Sequence, residues 1–259
     1  MEELNRWWPL LGIAMMRPLG AMLLVPAFSS STLGGTLARN ALALVATIPV
    51  LPLLATMDIP NPMVSSGAYI MILTRELGIG VLLGFSAAIP FWAVDAAGFA
   101  LDTLRGASMA GVLNPLLGGQ SSPLGALFSH LTIVMFFLLG GFHALLSALY
   151  QSYVQLPPGA GWHWSKQFVP FLSSEWQTLY TLALGFAMPA LVMIVLVDLA
   201  LGLINRSVSQ LNVFLLSMPI KSAVTVLMLI IGMQFGFSNI THRLAHFDGG
   251  IIRFLEPSR

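Results

Sequence analysis

Long apolar runs alternate with short polar interruptions along the whole chain, and this pattern predicts about six helices of membrane length. The apolar runs cover residues 10–28, 41–57, 68–94, 124–150, 179–204 and 223–237. Several runs contain a charge or a proline, which favours kinked and broken helical hairpins over straight spans. The pattern therefore predicts an all-α membrane protein, with residues 1–259 forming a single integral-membrane domain.

The central stretch, residues 94–125, reads VDAAGFALDTLRGASMAGVLNPLLGGQSSPLG and is polar where its neighbours are apolar. If it is helical from Phe91, Asp95 and Asp102 lie two turns apart on one face. Arg105 follows one turn beyond Asp102 on that face. We therefore expect a polar helix face that leads directly into a loop.

Residues 106–123 form that loop, because small residues, glycines and prolines replace the apolar pattern. Uncharged irregular backbone at membrane depth is tolerated only where protein buries it or where it lines a cavity. One interpretation is a pore or gate element, and the other is a re-entrant or interfacial turn that only joins two spans. The candidate gate residues are Gly106, Met109, Gly111, Asn114, Pro115, Gly118, Gly119, Gln120 and Pro123.

Charged residues also occur inside the apolar runs. Arg17 precedes Pro18 in the first run, and Arg75 and Glu76 lie in the third. An arginine facing lipid at the bilayer centre costs about 2.5 to 3.5 kcal/mol on insertion scales, so Arg17 should face protein or water. Pairing with a carboxylate, or with carbonyls freed beside Pro18, is the favoured interpretation over a transport role.

A second polar group follows the fifth apolar run. Asp198, Gly202 and Asn205 or Arg206 recur at helical spacing and share one face. Gln210 and Asn212 follow, and Pro219 predicts a break that also includes Lys221. The remaining polar segments are expected to be an aqueous loop at 151–177, with tryptophans at the interface, and a cytoplasmic tail at 241–259.

The composition supports a polytopic membrane protein, since 57% of residues are hydrophobic and only 8% are charged, against about 25% in soluble domains. A formal net charge of +1 gives no basic field for nucleic acid. The chain has no cysteine and no phosphate-binding loop or HExxH motif, so we expect no cofactor, no metal and no enzymatic activity. His130 and His143 are expected to be isolated, hydrogen-bonded histidines.

Two other functions use the same residues. An intramembrane hydrolase would need Ser121 or Ser122 with a histidine, but the spacing is unspecific. A small-solute or ion-coupled transporter would use the acids and bases inside the spans as a coupled path. Those residues are Asp95, Asp102 and Asp198 with Arg17, Arg105 and Arg206. Equal numbers of each sign favour pairing, within the chain or between subunits, over a selective ion path.

Three segments together carry a more specific resemblance. They are residues 94–125, residues 16–30 (MRPLGAMLLVPAFSS) and residues 185–222 (GFAMPALVMIVLVDLALGLINRSVSQLNVFLLSMPIKS). In order and spacing they resemble the T subunit family of the bacterial type III secretion export apparatus. The similarity extends over nearly the whole chain and is greater to the injectisome branch than to the flagellar branch.

The resemblance implies a core component of a helical export gate in the inner membrane, assembled with R and S subunits and with the U subunit as a neighbour. Unfolded secreted polypeptides would pass through this gate, and residues 106–123 would be a plug in its closed lumen. Polar residues of the apolar runs would then hold the base of the plug, hold the second hairpin, contact neighbouring subunits or have a structural role. They are Arg17, Arg75, Glu76, Asp95, Asp102, Arg105, Asp198, Asn205, Arg206, Gln210, Asn212 and Lys221.

Overall fold

Helices dominate the part of the chain that the structure, a computed structural model, describes. The described residues are 2–57, 65–107, 122–159, 162–207, 212–245, 247 and 249–257. The α-helices are α1 (Glu2–Leu24), α2 (Ser30–Leu33), α3 (Thr36–Thr47), α4 (Leu51–Leu54), α5 (Ser66–Leu104), α6 (Pro123–Leu138), α7 (Gly141–Gln155), α8 (Phe168–Ser207) and α9 (Val213–Ala245). Short 3-10 helices cover Pro26–Phe28, Ile48–Val50 and Gly250–Phe254, and strand β1 (Trp162–Trp164) pairs antiparallel with β2 (Leu255–Pro257).

The predicted class, an all-α membrane protein, is confirmed. Five helical segments among the described residues are long and apolar enough to cross a membrane, and the bent pair α6–α7 makes a sixth if it forms one span. The proline-rich second run is broken as predicted, since α3, a 3-10 turn and α4 replace one continuous helix.

The apolar run predicted over residues 124–150 is not one straight helix, because α6 and α7 meet at an angle of 67°. Gly140 lies between them with a φ of +78°, in the left-handed region that a glycine adopts without steric cost. Gly141 lies against the Phe136 ring, with no room for a β-carbon. Two adjacent glycines therefore end α6 and start α7 in a new direction.

The predicted break at Pro219 is also wrong, because α9 continues through it from Val213 to Ala245. Prolines likewise lie inside α1, α5 and α8. The hydrophobic pattern on both sides of each proline is strong enough to keep the helix, as is common in membrane helices. The predicted aqueous loop at 151–177 is shorter than expected, since α7 extends to Gln155 and α8 begins at Phe168.

The chain divides into two compact units. Unit 1 comprises Met1–Ile89, Phe136–Trp176 and Leu244–Arg259, and unit 2 comprises Pro90–Met135 and Gln177–Arg243. In unit 1 the end of the chain packs into the core, since Ile251 and Ile252 are buried and Phe254 stacks on Phe171 at 4.5 Å between ring centroids. In unit 2, Phe128, Phe186 and Phe237 form an aromatic cluster from α6, α8 and α9.

Helices α1 and α5 cross closely in unit 1 at Gly80 and Gly84, whose spacing is the GxxxG pattern that lets membrane helices approach each other. A β-carbon on Gly80 would collide with the backbone of Arg17, and one on Gly84 would collide with the backbone of Ala21. From the other side, a β-carbon on Gly20 would lie 2.6 Å from the Leu77 carbonyl oxygen. The glycines are therefore needed for the backbone approach itself.

We expect Gly80→Ala to destabilise the protein by about 1 to 3 kcal/mol, because the added methyl forces two backbones apart. Gly78→Ala is the matched control on the same helix, since nothing lies within 4 Å of its β-carbon position. That control should be neutral or slightly stabilising, as alanine favours helix over glycine. Thermal unfolding of the detergent-extracted protein measures both effects, and equal midpoints for the two variants would contradict the close crossing.

Candidate functional site

The site begins where α5 ends, at the start of the central loop. Gly106 has a φ of +87° and stops the helix. The Ala107 amide donates to the Asp102 carbonyl at 2.9 Å, and the Gly106 amide donates to the Thr103 carbonyl at 3.2 Å. This is the Schellman ending of a helix, which needs a left-handed residue at the Gly106 position. The position of Gly106 in the sequence therefore determines where α5 ends.

The loop returns to the helical region at Ser122 and Pro123. The Ser122 hydroxyl oxygen accepts a hydrogen bond from the Gly125 amide at 2.9 Å, and Pro123 occupies the first helical position of α6. A serine cap followed by proline is a favoured start for a helix, because proline there gives up no helical hydrogen bond. Both ends of the loop are therefore defined by local sequence.

Asp102 joins these two ends. One carboxylate oxygen accepts from the Arg105 guanidinium, at 2.8 Å from Nε and 2.6 Å from Nη2. The other accepts from the Ser122 hydroxyl at 2.7 Å and from the Leu124 amide at 2.9 Å. The Asp102 side chain is only 3% exposed, so these bonds are shielded from water. We call Asp102, Arg105 and Ser122 the loop clamp.

The two helices that carry the loop also approach each other closely. A β-carbon on Gly98 would collide with the backbone of Gly125, and one on Gly125 would lie 2.8 Å from a carboxylate oxygen of Asp95. Asp95 is exposed, whereas Asp102 on the same helix face is buried. The predicted polar face of α5 is present, but its two acids have different surroundings because only Asp102 accepts from the start of α6.

Lys221 of α9 connects the site to α8. Its ammonium group lies 2.6 Å from a carboxylate oxygen of Asp198 and donates to the Leu104 carbonyl at 3.4 Å. Asn205 and Arg206, at the end of α8, and Asn212, before α9, are exposed. The structure therefore brings Asp198 and Lys221 to the end of α5 but leaves the other described members of this polar group at the surface.

A second polar cluster lies in unit 1. Arg17 is fully buried and forms a two-bond ion pair with Glu76, with 3.1 Å between Nη2 and one carboxylate oxygen. Arg17 also donates to the Ser152 hydroxyl at 3.0 Å and to the Leu156 carbonyl. Its guanidinium carbon lies 4.3 Å from the centroid of the Tyr153 ring. We call Arg17, Glu76, Ser152 and Tyr153 the arginine cluster.

The arginine cluster confirms that Arg17 pairs with a carboxylate. It also corrects the expectation that Arg17 and Glu76 face neighbouring subunits, because both side chains are enclosed within this chain, at 0% and 3% exposure. The neighbouring Arg75 is partly exposed.

Most of the predicted plug lies outside the described residues. Of its candidate residues only Gly106 and Pro123 are described, at the two ends of the loop. Those outside are Met109, Gly111, Asn114, Pro115, Gly118, Gly119 and Gln120, and Gln210 of the second polar group is also outside. The site that the structure describes is therefore the base of the loop.

Sequence reasoning missed several members of both clusters. Ser122 has a recognisable signal, since serine followed by proline marks a helix start. Ser152 and Tyr153 have none, because their role depends on α7 packing against α1.

Glu175, outside both clusters, was expected in a polar loop, yet it is buried on α8 and accepts from the Ser86 hydroxyl at 3.2 Å. His130 does contact the Ala126 carbonyl oxygen at 2.6 Å, as expected of an isolated histidine.

Comparison with known proteins gives consistent matches over most of the chain. The family described as "Bacterial export proteins, family 1" matches residues 8–247. The secretion system apparatus protein SsaT of Salmonella typhimurium is 43% identical over 95% of this chain and 94% of its own length. The Yop proteins translocation protein T of Yersinia pestis is 38% identical over 86% of each chain. The flagellar biosynthetic protein FliR of Bacillus subtilis is 30% identical over 70% of each chain.

Proposed function

Since the chain belongs to family 1 of the bacterial export proteins, the T subunits of the type III secretion export apparatus, we propose that it forms the closable entrance of an export gate. Its higher identity to the Salmonella and Yersinia secretion proteins than to the Bacillus flagellar protein assigns it to the injectisome branch. It is thus a multi-pass membrane component of a type III secretion apparatus. The proposal adds a position in that apparatus and a mechanism.

The observation that carries the mechanism is the loop clamp. One buried carboxylate, that of Asp102, holds the end of α5 and the start of α6 together, at the two points where the described helices meet the proposed plug. With its base closed in this way, the proposed plug can fill a lumen or withdraw from it without unfolding the helices that carry it. Its small, uncharged residues suit a seal that ions do not cross.

The partners follow from the same proposal. The chain assembles with R and S subunits in the inner membrane, with the U subunit beside them, and unfolded secreted polypeptides pass through the lumen. Helices α8 and α9 support such an assembly, because only 22% and 11% of their membrane-length segments are buried within this chain. Exposed side chains such as Leu203, Ile230 and Phe235 are available for lipid or for neighbouring helices.

The mechanism needs no bond chemistry from this chain. Two buried acids, Asp102 and Glu76, are each neutralised within their own cluster. A path for a coupled ion needs acids that exchange protons or ions with water, whereas these two are buried and occupied. Pairing therefore supports a structural role over the alternative, a small-solute or ion-coupled transporter.

Shortening residues 108–121 to a brief glycine–serine linker tests the proposal in living cells. We expect the resting gate to leak ions, with the open fraction rising on the order of a hundredfold or more, as when a 1:99 equilibrium is reversed. The complex should still assemble, because the clamp residues remain. Membrane potential dyes report the leak, and co-purification reports assembly.

Replacing the connection at residues 58–64 with the same glycine–serine linker is the control and should keep the seal. An intact seal after shortening 108–121 would contradict the plug. Uptake of a small solute by vesicles containing this chain alone would instead favour the transporter.

A further inference from the structure

The last turn of α5 receives a hydrogen bond from another helix. The last four carbonyls of a helix have no partner within it and need other donors. Here the carbonyls of Asp102 and Thr103 accept from the turn described above. A third, on Leu104, accepts from Lys221 of α9 at 3.4 Å. Lys221, 117 positions away in the sequence, thus supplies a hydrogen-bond donor to the end of α5.

The same lysine is fixed from its other side. Asp198 of α8 lies 2.6 Å from the Lys221 ammonium, whose side chain is only 14% exposed. One helical turn before Lys221, Met218 covers Gly106, and its Cγ is 3.3 Å from where a β-carbon of that glycine would lie. A positive charge at the carboxyl end of a helix is favourable, because it meets the negative end of the helix dipole.

We propose that Lys221 is a positioning residue that couples the hairpin formed by α8 and α9 to the central loop. We call Lys221 with Asp198 and the Leu104 carbonyl the hairpin latch. The inference rests on the proposed function, in which that loop closes the gate. A partner that binds the exposed face of α8 and α9 and displaces α9 removes the ammonium from Leu104 and the Met218 side chain from Gly106. The start of the loop is then released.

The latch differs from the loop clamp in what it joins. The clamp holds the two ends of the loop to each other, so it fixes the distance between them. The latch holds one end of the loop to α8 and α9, so the position of that end depends on the position of these two helices. Its energy is modest, because the Asp198 side chain is 50% exposed and the pair is partly screened by water. A modest interaction suits a contact that must open during each cycle of export.

Cysteine labelling in the assembled complex tests the latch directly. The chain contains no cysteine, so Ala107→Cys introduces its single thiol at the start of the loop. We expect Lys221→Met to raise the maleimide labelling rate at this position roughly three- to tenfold, by loss of the ion pair and of the helix-end contact. Lys221→Arg should restore most of the original rate. Lys166→Met, the same change at an exposed lysine, should leave the rate unchanged.

A second variant keeps the test decisive if Lys221→Met fails to accumulate. Asp198→Asn should raise labelling in the same direction, and the double variant should label no faster than Lys221→Met, since both changes break one latch. Unchanged labelling in both single variants would overturn the inference, and so would faster labelling confined to complexes that have lost partner subunits. If shortening residues 108–121 leaves the gate sealed, the proposed function fails while the labelling result still stands for the position of the loop.

Discussion

Replacing Glu76 with leucine is expected to destabilise the protein by about 3 to 5 kcal/mol, because it leaves the Arg17 charge buried without a counter-ion. Arg17 has 0% exposure and reaches no water to replace the carboxylate. Its remaining partners, the Ser152 hydroxyl and the Leu156 carbonyl, carry no charge. We expect the variant to accumulate poorly in membranes, and the surviving fraction should unfold at a clearly lower temperature after detergent extraction.

The double variant Arg17→Met with Glu76→Met is the control for this effect. Removing both charges leaves no unpaired ion, and buried ion pairs replaced by apolar side chains are often neutral or even more stable. The double variant should therefore be more stable than Glu76→Leu alone. A double variant that is less stable than the single one would show that the cluster acts through hydrogen bonding to α7 instead of through charge.

Replacing Asp102 with alanine is expected to weaken the seal without shortening the loop. The variant loses the two hydrogen bonds that cross from α5 to the start of α6, from the Ser122 hydroxyl and the Leu124 amide. Bonds to a charged group contribute about 1.5 to 3 kcal/mol each, so losing about 3 kcal/mol in total raises the open fraction about a hundredfold. The leak should rise in resting cells, while assembly with partner subunits persists.

Thr103→Ala is the matched control for Asp102→Ala. Thr103 is the adjacent residue, it is exposed, and its hydroxyl bonds only to the Phe99 carbonyl of its own helix. It should leave the seal unchanged. If both variants leak equally, any disturbance of the end of α5 is sufficient, and the carboxylate has no special part. If neither leaks, the clamp does not hold the closed state.

The helical segments could be predicted from the sequence because each is a long apolar run, a signal that depends only on local composition. The close crossing of α1 and α5 was also predictable, since Gly80 and Gly84 form a motif within one helix. Helix continuity through Pro219 was not, because a proline weakens a helix locally and the sequence does not show whether the apolar residues on both sides outweigh that effect. The turn at Gly140 was not predicted, because two glycines inside an apolar run are equally typical of close helix–helix packing.

The candidate site also combines contacts that the local sequence predicts with contacts that depend on the fold. The sequence predicted that Asp102 and Arg105 share a face, since they are three residues apart on one helix. It gave no reason to pair Arg17 with Glu76 or Asp198 with Lys221, because those partners lie far apart in the chain and meet only when helices pack. The charges were recognised as needing partners, but which partners depends on the fold.

The most direct test of the central claim, that residues 108–121 close the conduit, is the ionic conductance of the purified export complex in planar bilayers. Complexes with the intact loop should remain closed, and complexes with the shortened loop should show stable open conductance under the same voltage. Equal, low conductance from the two complexes, with all subunits present in both, would contradict the account.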